Sequence, residues 1–290
     1  MLIQITRKCN EKCTHCMVNA LPDGQHMDMN TFVNAVYFAI SIGSPVIHIS
    51  GGDPFLHPKF FTFINKATDM LKGRKMGIVI ESNGWWITDT DMSKKIYNLM
   101  NTNSIIALLQ ISTHKSYYPN YEFTMNHKDD FAKIPRCGFV HDWQDKNLVY
   151  SGRAKSIMKD DEIKGFPNCL NLVTHAHFIE LTPLLAKNSS YDKLKTLVAF
   201  LFTRGKSCAP LVDVDGYIRL AECIECTKIA NVNKALDYKK LYNDIVSFVP
   251  CNSCKRMKNL SHEQLQAIDN QRQRLNLEPI FVKKFCNESK

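Results

Sequence analysis

The chain has 290 residues, 37 Lys and Arg against 28 Asp and Glu for a net charge of +9, 44% apolar residues and eleven cysteines. That length and apolar share suit one main domain plus an appendage, and they exclude a disordered, collagen-like or repeat chain. The longest apolar run, Leu197 to Phe202, falls far short of the roughly 20 residues that span a bilayer, and the first residues lack the regions of a signal peptide. The expected compartment is the reducing cytosol, with no membrane contact, where clustered cysteines read as metal ligands before disulfides.

In chain order, Leu2 to Thr6 reads as a strand, Asn30 to Ile42 as a helix with one apolar face, and Val46 to Ser50 as a second strand. A helix from Pro58 to Leu71, a strand at Met76 to Glu81, a helix from Thr88 to Met100 and a strand at Ile105 to Ser112 follow. Such alternation implies right-handed βαβ units around a parallel sheet. From Tyr117 to Val173 the period fades into Pro, Asn, Asp and Lys-rich sequence. The alternating part ends near residue 205, short of the roughly 250 residues of an eight-unit barrel, so residues 1–205 are expected to form a partial barrel. Beyond it, Leu211 to Val214 and Tyr217 to Leu220 flank Asp215-Gly216, a strong hairpin signal, and a helix is expected at Tyr238 to Val246. Residues 206–260 thus read as a small metal-organised module. Residues 261–290 read as a polar helix and tail, opened by Ser261 as cap with Gln264 three positions on.

Cys9, Cys13 and Cys16 place three thiols immediately after the first strand, with His15 between the last two. Four thiolates would close a cube of iron and sulfide, whereas three leave one iron open to chemistry. The second strand runs into Gly51-Gly52-Asp53-Pro54; paired glycines let a backbone approach a ligand closely, and carbonyls there can accept from an ammonium group. Taken alone, three close cysteines are also compatible with part of a zinc site, although the spacing is not that of zinc.

The Cys-x3-Cys-x2-Cys spacing followed by Gly-Gly-Asp-Pro resembles the radical S-adenosylmethionine (SAM) enzymes. The resemblance implies an α/β fold, a partial (β/α)6-type barrel, in which Cys9, Cys13 and Cys16 hold a [4Fe-4S] cluster whose open iron is chelated by SAM. It also implies reductive cleavage of SAM to methionine and a 5′-deoxyadenosyl radical that abstracts hydrogen from a substrate, with flavodoxin or ferredoxin as electron donor. Asp53 stands where the family commonly has Glu, and His15 where it usually has an aromatic residue against the adenine. By order along the chain, Ser82 and Asn83 at the end of the third strand and Ser112 at the end of the fourth match polar positions near the SAM methionyl and ribose groups.

Cys208, Cys223, Cys251 and Cys254 around the hairpin resemble the shortened auxiliary-cluster domain called twitch, related to SPASM, and so imply a second [4Fe-4S] cluster. Cys226 is an alternative ligand to Cys223. Cys223-x2-Cys226 with Cys251-x2-Cys254 is also acceptable zinc-ribbon spacing. Cys137, Cys169 and Cys286 have no motif partner and read as small buried apolar residues.

The resemblance favours a peptide or protein side chain as substrate. The basic balance, with Arg153, Lys155, Lys193, Lys195, Arg204, Lys206, Lys255, Arg256 and Lys258, supplies the alternative of a nucleotide or nucleic acid. An iron-sulfur electron carrier or a zinc-stabilised interaction protein is the non-enzyme alternative. His114 through Tyr118 and Gly152 through Lys155 stand where they could face the radical, but as isolated residues they read as structural, and no proton donor is named.

Overall fold

The computed structural model describes residues 1–140, 152–157, 211–219, 228–246, 260–274 and 276–286. Among these residues the framework is one sheet of eight strands in the order β5-β4-β3-β2-β1-β6-β7-β8. The strands are β1 (Leu2–Thr6), β2 (Val46–Gly51), β3 (Gly77–Ser82), β4 (Ile106–Ser112), β5 (Cys137–Val140), β6 (Leu211–Val212), β7 (Tyr217–Arg219) and β8 (Lys228–Asn231). Strands β1 to β6 pair parallel, and β7 and β8 pair antiparallel. Between the early strands lie α1 (Met29–Ser41), α2 (Phe60–Leu71) and α3 (Thr90–Thr102), followed by the short α4 (Tyr121–Asn126) and α5 (Lys128–Phe131). This is the α/β partial-barrel architecture that the alternation predicts.

The strand order never reverses from β1 to β5, so right-handed crossovers put α1, α2 and α3 on one face of the sheet. The sequence is written for that face. Ile3, Ile5, Ile47, Ile49, Ile78, Ile80, Leu109 and Ile111 alternate along four strands and are buried in one core with Phe32, Val36, Phe63 and Ile64 of the helices. Fully burying a side chain of this size contributes about 1.5–3 kcal/mol. The helices start where polar side chains satisfy their first amides: Asp28 accepts from the Thr31 amide at 2.9 Å, and Asp89 accepts from the Met92 amide at 3.0 Å.

The opposite face carries a different set. Gln4 pairs with Ser50, and continuation of the Ile49–Ile80 register sets Ser50 beside Glu81. Glu81 pairs with Gln110, which pairs with Gly138. One polar row therefore crosses β1 to β4 and ends at Gly138 on β5. His48, on the same face, makes a 2.8 Å contact through Nδ1 with the Glu81 carboxylate.

The Asp215-Gly216 hairpin forms as expected, but β6 stops at Val212 rather than Val214. Asp213 turns the chain early: its Oδ1 accepts from the Asp215 and Tyr217 amides at 3.1 and 3.0 Å, while its other oxygen binds buried Arg219. The hairpin also joins the barrel sheet directly, since Leu2 and Ile3 of β1 pair with Leu211 and Val212. Helix α6 spans Tyr238–Val246, and α7 spans His262–Arg274. Ser261 and Gln264 form the reciprocal cap at the start of α7. A last helix, α8 (Phe281–Phe285), is tied to α7 by Asp269, which accepts from the Phe281 and Val282 amides at 2.8 Å each. Among the described residues no helix is long and apolar enough to cross a membrane.

Candidate metal centre

The three cysteines lie in the loop between β1 and α1, at the carboxyl edge of the sheet, where parallel α/β sheets bind ligands. This loop is laced to itself: the Cys9 amide donates to the Leu21 carbonyl at 2.9 Å and the Leu21 amide to the Arg7 carbonyl at 3.0 Å. The end of β2 holds it from the side, through the Gly52 amide to the Thr6 carbonyl and the Asp53 amide to the Lys8 carbonyl, both at 2.8 Å. Only glycine allows that approach. A Cβ on Gly51 would stand 2.3 Å from the Thr6 oxygen, and one on Gly52 would stand 2.0 Å from the Lys8 oxygen.

Cys9 and Cys13 are buried and Cys16 is half-buried. Burial pushes the Cys9 thiol up to about 11 and the Cys13 thiol up to about 12, so without a metal both remain protonated and binding must release those protons. N–H groups are aimed at two of the three sulfurs. The Glu11 amide reaches Cys9 Sγ at 3.4 Å, the Ala20 amide reaches Cys16 Sγ at 3.4 Å, and Asn83 Nδ2 reaches Cys9 Sγ at 3.8 Å. Hydrogen bonds to ligating sulfur are one of the levers that set the properties of iron-sulfur clusters, so this donor set fits such a group. Among the described residues no three His, Cys, Asp or Glu side chains converge on a point that would hold a single metal ion. A four-iron cluster takes each thiolate on a different iron and needs no such convergence.

Asp53 and Ser82 turn out to be committed to each other. Asp53 is fully buried; it accepts from the Phe55 amide at 3.0 Å, the Ser82 hydroxyl at 2.7 Å and the Asn83 amide at 2.8 Å. Burial pushes its carboxyl above the ordinary range, and those three donors pull against that shift. The Ser82 oxygen also accepts from the Gly84 amide and from Trp86 Nε1, at 3.1 Å each. Both side chains thus lock the end of β2 to the end of β3. Pro54 opens the short 3-10 turn Pro54–Leu56 that follows. Asn83 faces the loop, donating to Asn10 Oδ1 at 2.9 Å as well as to Cys9.

His15 and Ser112 come together through Tyr117 and Tyr118, two residues of the His114–Tyr118 segment expected to be able to face the radical. The His15 ring lies 4.8 Å from the Tyr118 ring and 5.5 Å from the Tyr117 ring, and Ser112 hydrogen-bonds the Tyr118 hydroxyl. Burial, then the neighbouring His114 and Arg153, push His15 down to about 4, so it is neutral at pH 7. Its Nδ1 is buried, with no hydrogen-bond partner among the described residues. Arg153, which the sequence placed in the Gly152–Lys155 segment able to face the radical and among the basic residues, reaches back to the carbonyls of the cysteine loop. Cys208, Cys223, Cys226, Cys251 and Cys254 lie outside the described residues, as does Cys169. Cys137 packs against the core, and Cys286 is half-buried near His262.

Comparison with known proteins adds three findings. The family model of the Radical SAM superfamily matches residues 3–130. An S-adenosylmethionine-dependent nucleotide dehydratase of Thermoplasmatales archaeon (strain ISO4-H5) is 32% identical over 92 residues, which make up 32% of this chain and 32% of that protein. Fe-coproporphyrin III synthase of Methanosarcina barkeri (strain Fusaro / DSM 804) is 25% identical over 193 residues, covering 54% of this chain and 46% of that one. The chain therefore spans less than half the length of either relative. Among solved structures, BtrN in complex with AdoMet and 2-DOIA superposes with a TM-score of 0.48 at 15% identity, covering 84% of this chain and 80% of that one. Native anSMEcpe with bound AdoMet and Cp18Cys peptide superposes with a TM-score of 0.48 at 14% identity, covering 91% and 84%.

Proposed function

We propose, from the match of residues 3–130 to the family model of the Radical SAM superfamily, that the three-cysteine loop carries a [4Fe-4S] cluster, that SAM binds beside it, and that the chain abstracts hydrogen from a peptide or protein side chain. The observation that carries this reading is the set of three thiols at the sheet's carboxyl edge, two of which, Cys9 and Cys16, receive N–H donors, held there by a backbone that only Gly51 and Gly52 permit. When bound, the cluster supplies the electron that cleaves SAM to methionine and a 5′-deoxyadenosyl radical. Cys9, Cys13 and Cys16 would hold it. The Gly51-Gly52 backbone would receive the methionyl end of SAM, and neutral His15 with Tyr117 and Tyr118 would offer ring surface to the adenine. Asp53 and Ser82 would keep this edge rigid, while Asn83 and Ser112 remain the polar side chains on its rim.

The test is anaerobic reconstitution followed by reduction. Wild-type protein is expected to release 5′-deoxyadenosine and to change its electron paramagnetic resonance signal when SAM is added. Cys13→Ala is expected to lose both. A wild type with neither response would instead be an electron carrier or a binding module.

The peptide reading rests on the resemblance of Cys208, Cys223 or Cys226, Cys251 and Cys254 to a twitch-like module within residues 206–260, with residues 261–290 as helix and tail. A second [4Fe-4S] cluster there would take or relay an electron. About eight irons per chain would support it, whereas about four irons with one zinc would make the module a zinc ribbon. A nucleotide substrate is the second reading, favoured by the relatedness to a nucleotide dehydratase and the net charge of +9. Deuterium transfer into 5′-deoxyadenosine from labelled peptides or labelled nucleotides separates the two. The reductant would be a flavodoxin or ferredoxin.

A further inference from the structure

Gly152–Ser156 forms a single 3-10 turn downstream of β5, more than 130 positions after the cysteine loop, and yet packs onto it. Four hydrogen bonds join them. The Arg153 amide donates to the Cys16 carbonyl at 3.0 Å. Its side chain donates from Nε to the Cys13 carbonyl at 3.0 Å, and from Nη1 to the Ala20 carbonyl at 2.7 Å and to Asn19 Oδ1 at 3.3 Å. The partners bracket the second half of the loop, so one planar guanidinium fixes the carbonyls on either side of Cys16.

The approach is built from the backbone upward. Gly152 has φ +54, and a Cβ there would meet the Cys16 oxygen at 2.4 Å and the Met17 oxygen at 2.7 Å. Glycine is therefore required twice over, for the turn and for the contact. Ala154 is fully buried, and the Ser156 hydroxyl donates back to the Arg153 carbonyl at 2.8 Å. Asn19, which the guanidinium also touches, itself has a positive φ of 49; the loop is bent where Arg153 grips it.

We propose that Arg153 is a positioning residue for the cluster: it holds the Cys13–Ala20 carbonyls in place and sets a positive charge against the backbone that carries Cys13 and Cys16. This rests on the reading that the loop carries a cluster. Two consequences follow. The loop retains iron and sulfide better with Arg153 than without it, because fewer of its conformations misplace Cys13 and Cys16. Reduction is easier with Arg153, because an added electron is stabilised by a nearby guanidinium cation.

The experiment compares wild type with Arg153→Lys, Arg153→Gln and Arg153→Met after anaerobic reconstitution. It reads iron and sulfide content, the spectrum of the reduced cluster, and the fraction reduced at a fixed potential. Cys13→Ala supplies the iron count without the loop's cluster. Arg153→Met is expected to retain less iron and, in the molecules that keep it, to show about a tenfold lower reduced-to-oxidised ratio, a shift of about 59 mV for one electron. Arg153→Lys should recover the reduced fraction, since it keeps the charge, but not the full iron content, since it loses the fork. Should Arg153→Met not fold, the Lys and Gln pair decides the matter, because only Lys keeps the charge. Equal reduced fractions for Lys and Gln, or a Met variant indistinguishable from wild type, would overturn the proposal. A wild type holding no more iron than Cys13→Ala would instead overturn the cluster itself.

Discussion

The two faces of one sheet are written in different chemistry. Toward the helices, Ile3, Ile5, Ile47, Ile49, Ile78 and Ile80 form an apolar surface that closes over Phe32 and Phe63. One residue along each strand, the other face presents Gln4, Ser50, Glu81 and Gln110 in register. Barrel interiors are usually filled by branched apolar side chains in layers. Gln4 sharpens the contrast, for it is fully buried and neither end of its amide is hydrogen-bonded among the described residues. An unsatisfied buried polar group costs about 1–3 kcal/mol. Burial by itself therefore does not mean stabilisation here: the helix-facing residues hold the fold, whereas Gln4 in the opposite row is kept at the fold's expense.

Substitutions can break that contrast, and the largest effect is expected on the helix side. Phe63→Ala removes a ring stacked on Phe32 at 4.5 Å between centroids and should lower the unfolding free energy by about 3–5 kcal/mol, read from the urea midpoint. Asp53→Ala, at the seam between the faces, strands the Phe55 and Asn83 amides and the Ser82 hydroxyl. It should cost about 3 kcal/mol and also lower iron retention, a second loss that Phe63→Ala should not share. Gln4→Met, of similar volume, should do the reverse and stabilise by about 1–2 kcal/mol, seen as a higher melting temperature. A lower one would mean that the polar row supports the fold after all. The smallest change is expected from Asp28→Ala, which uncaps α1 for about 1 kcal/mol and should leave the iron content as it is.

Much of this was legible from the sequence because it is local. The strand at Leu2–Thr6 and the helix at Tyr238–Val246 match their predicted bounds, and the other early elements agree within about two residues, the usual fraying of helix and strand ends. The cysteine spacing and the paired glycines also lie in short segments whose chemistry is carried by residue type. What stayed hidden depends on proximity across the chain. Nothing near Leu211 names Leu2 as its neighbour, so the hairpin was read as part of a separate module rather than as an extension of the barrel sheet. Asp53 and Ser82 were read singly as groups facing a cofactor, whereas each satisfies the other. Tyr118 and Arg153 gain their meaning only from His15 and the Cys16 carbonyl, which no periodicity connects to them.

The pairing of β1 with β6 sets an order of events during synthesis. β1 is an interior strand with β2 on one side and β6 on the other, and those partners leave the ribosome far apart in time. β2 follows β1 within about fifty residues, but the other edge of β1 stays open until Leu211 and Val212 have been made. Until then the strand that leads into the cysteine loop exposes a row of unpaired backbone groups, a template for wrong pairing. Contacts of such long separation also slow folding. The nascent chain is thus most exposed to aggregation while its metal-binding loop is already complete, and production at low temperature with slowed elongation should raise the yield of folded protein.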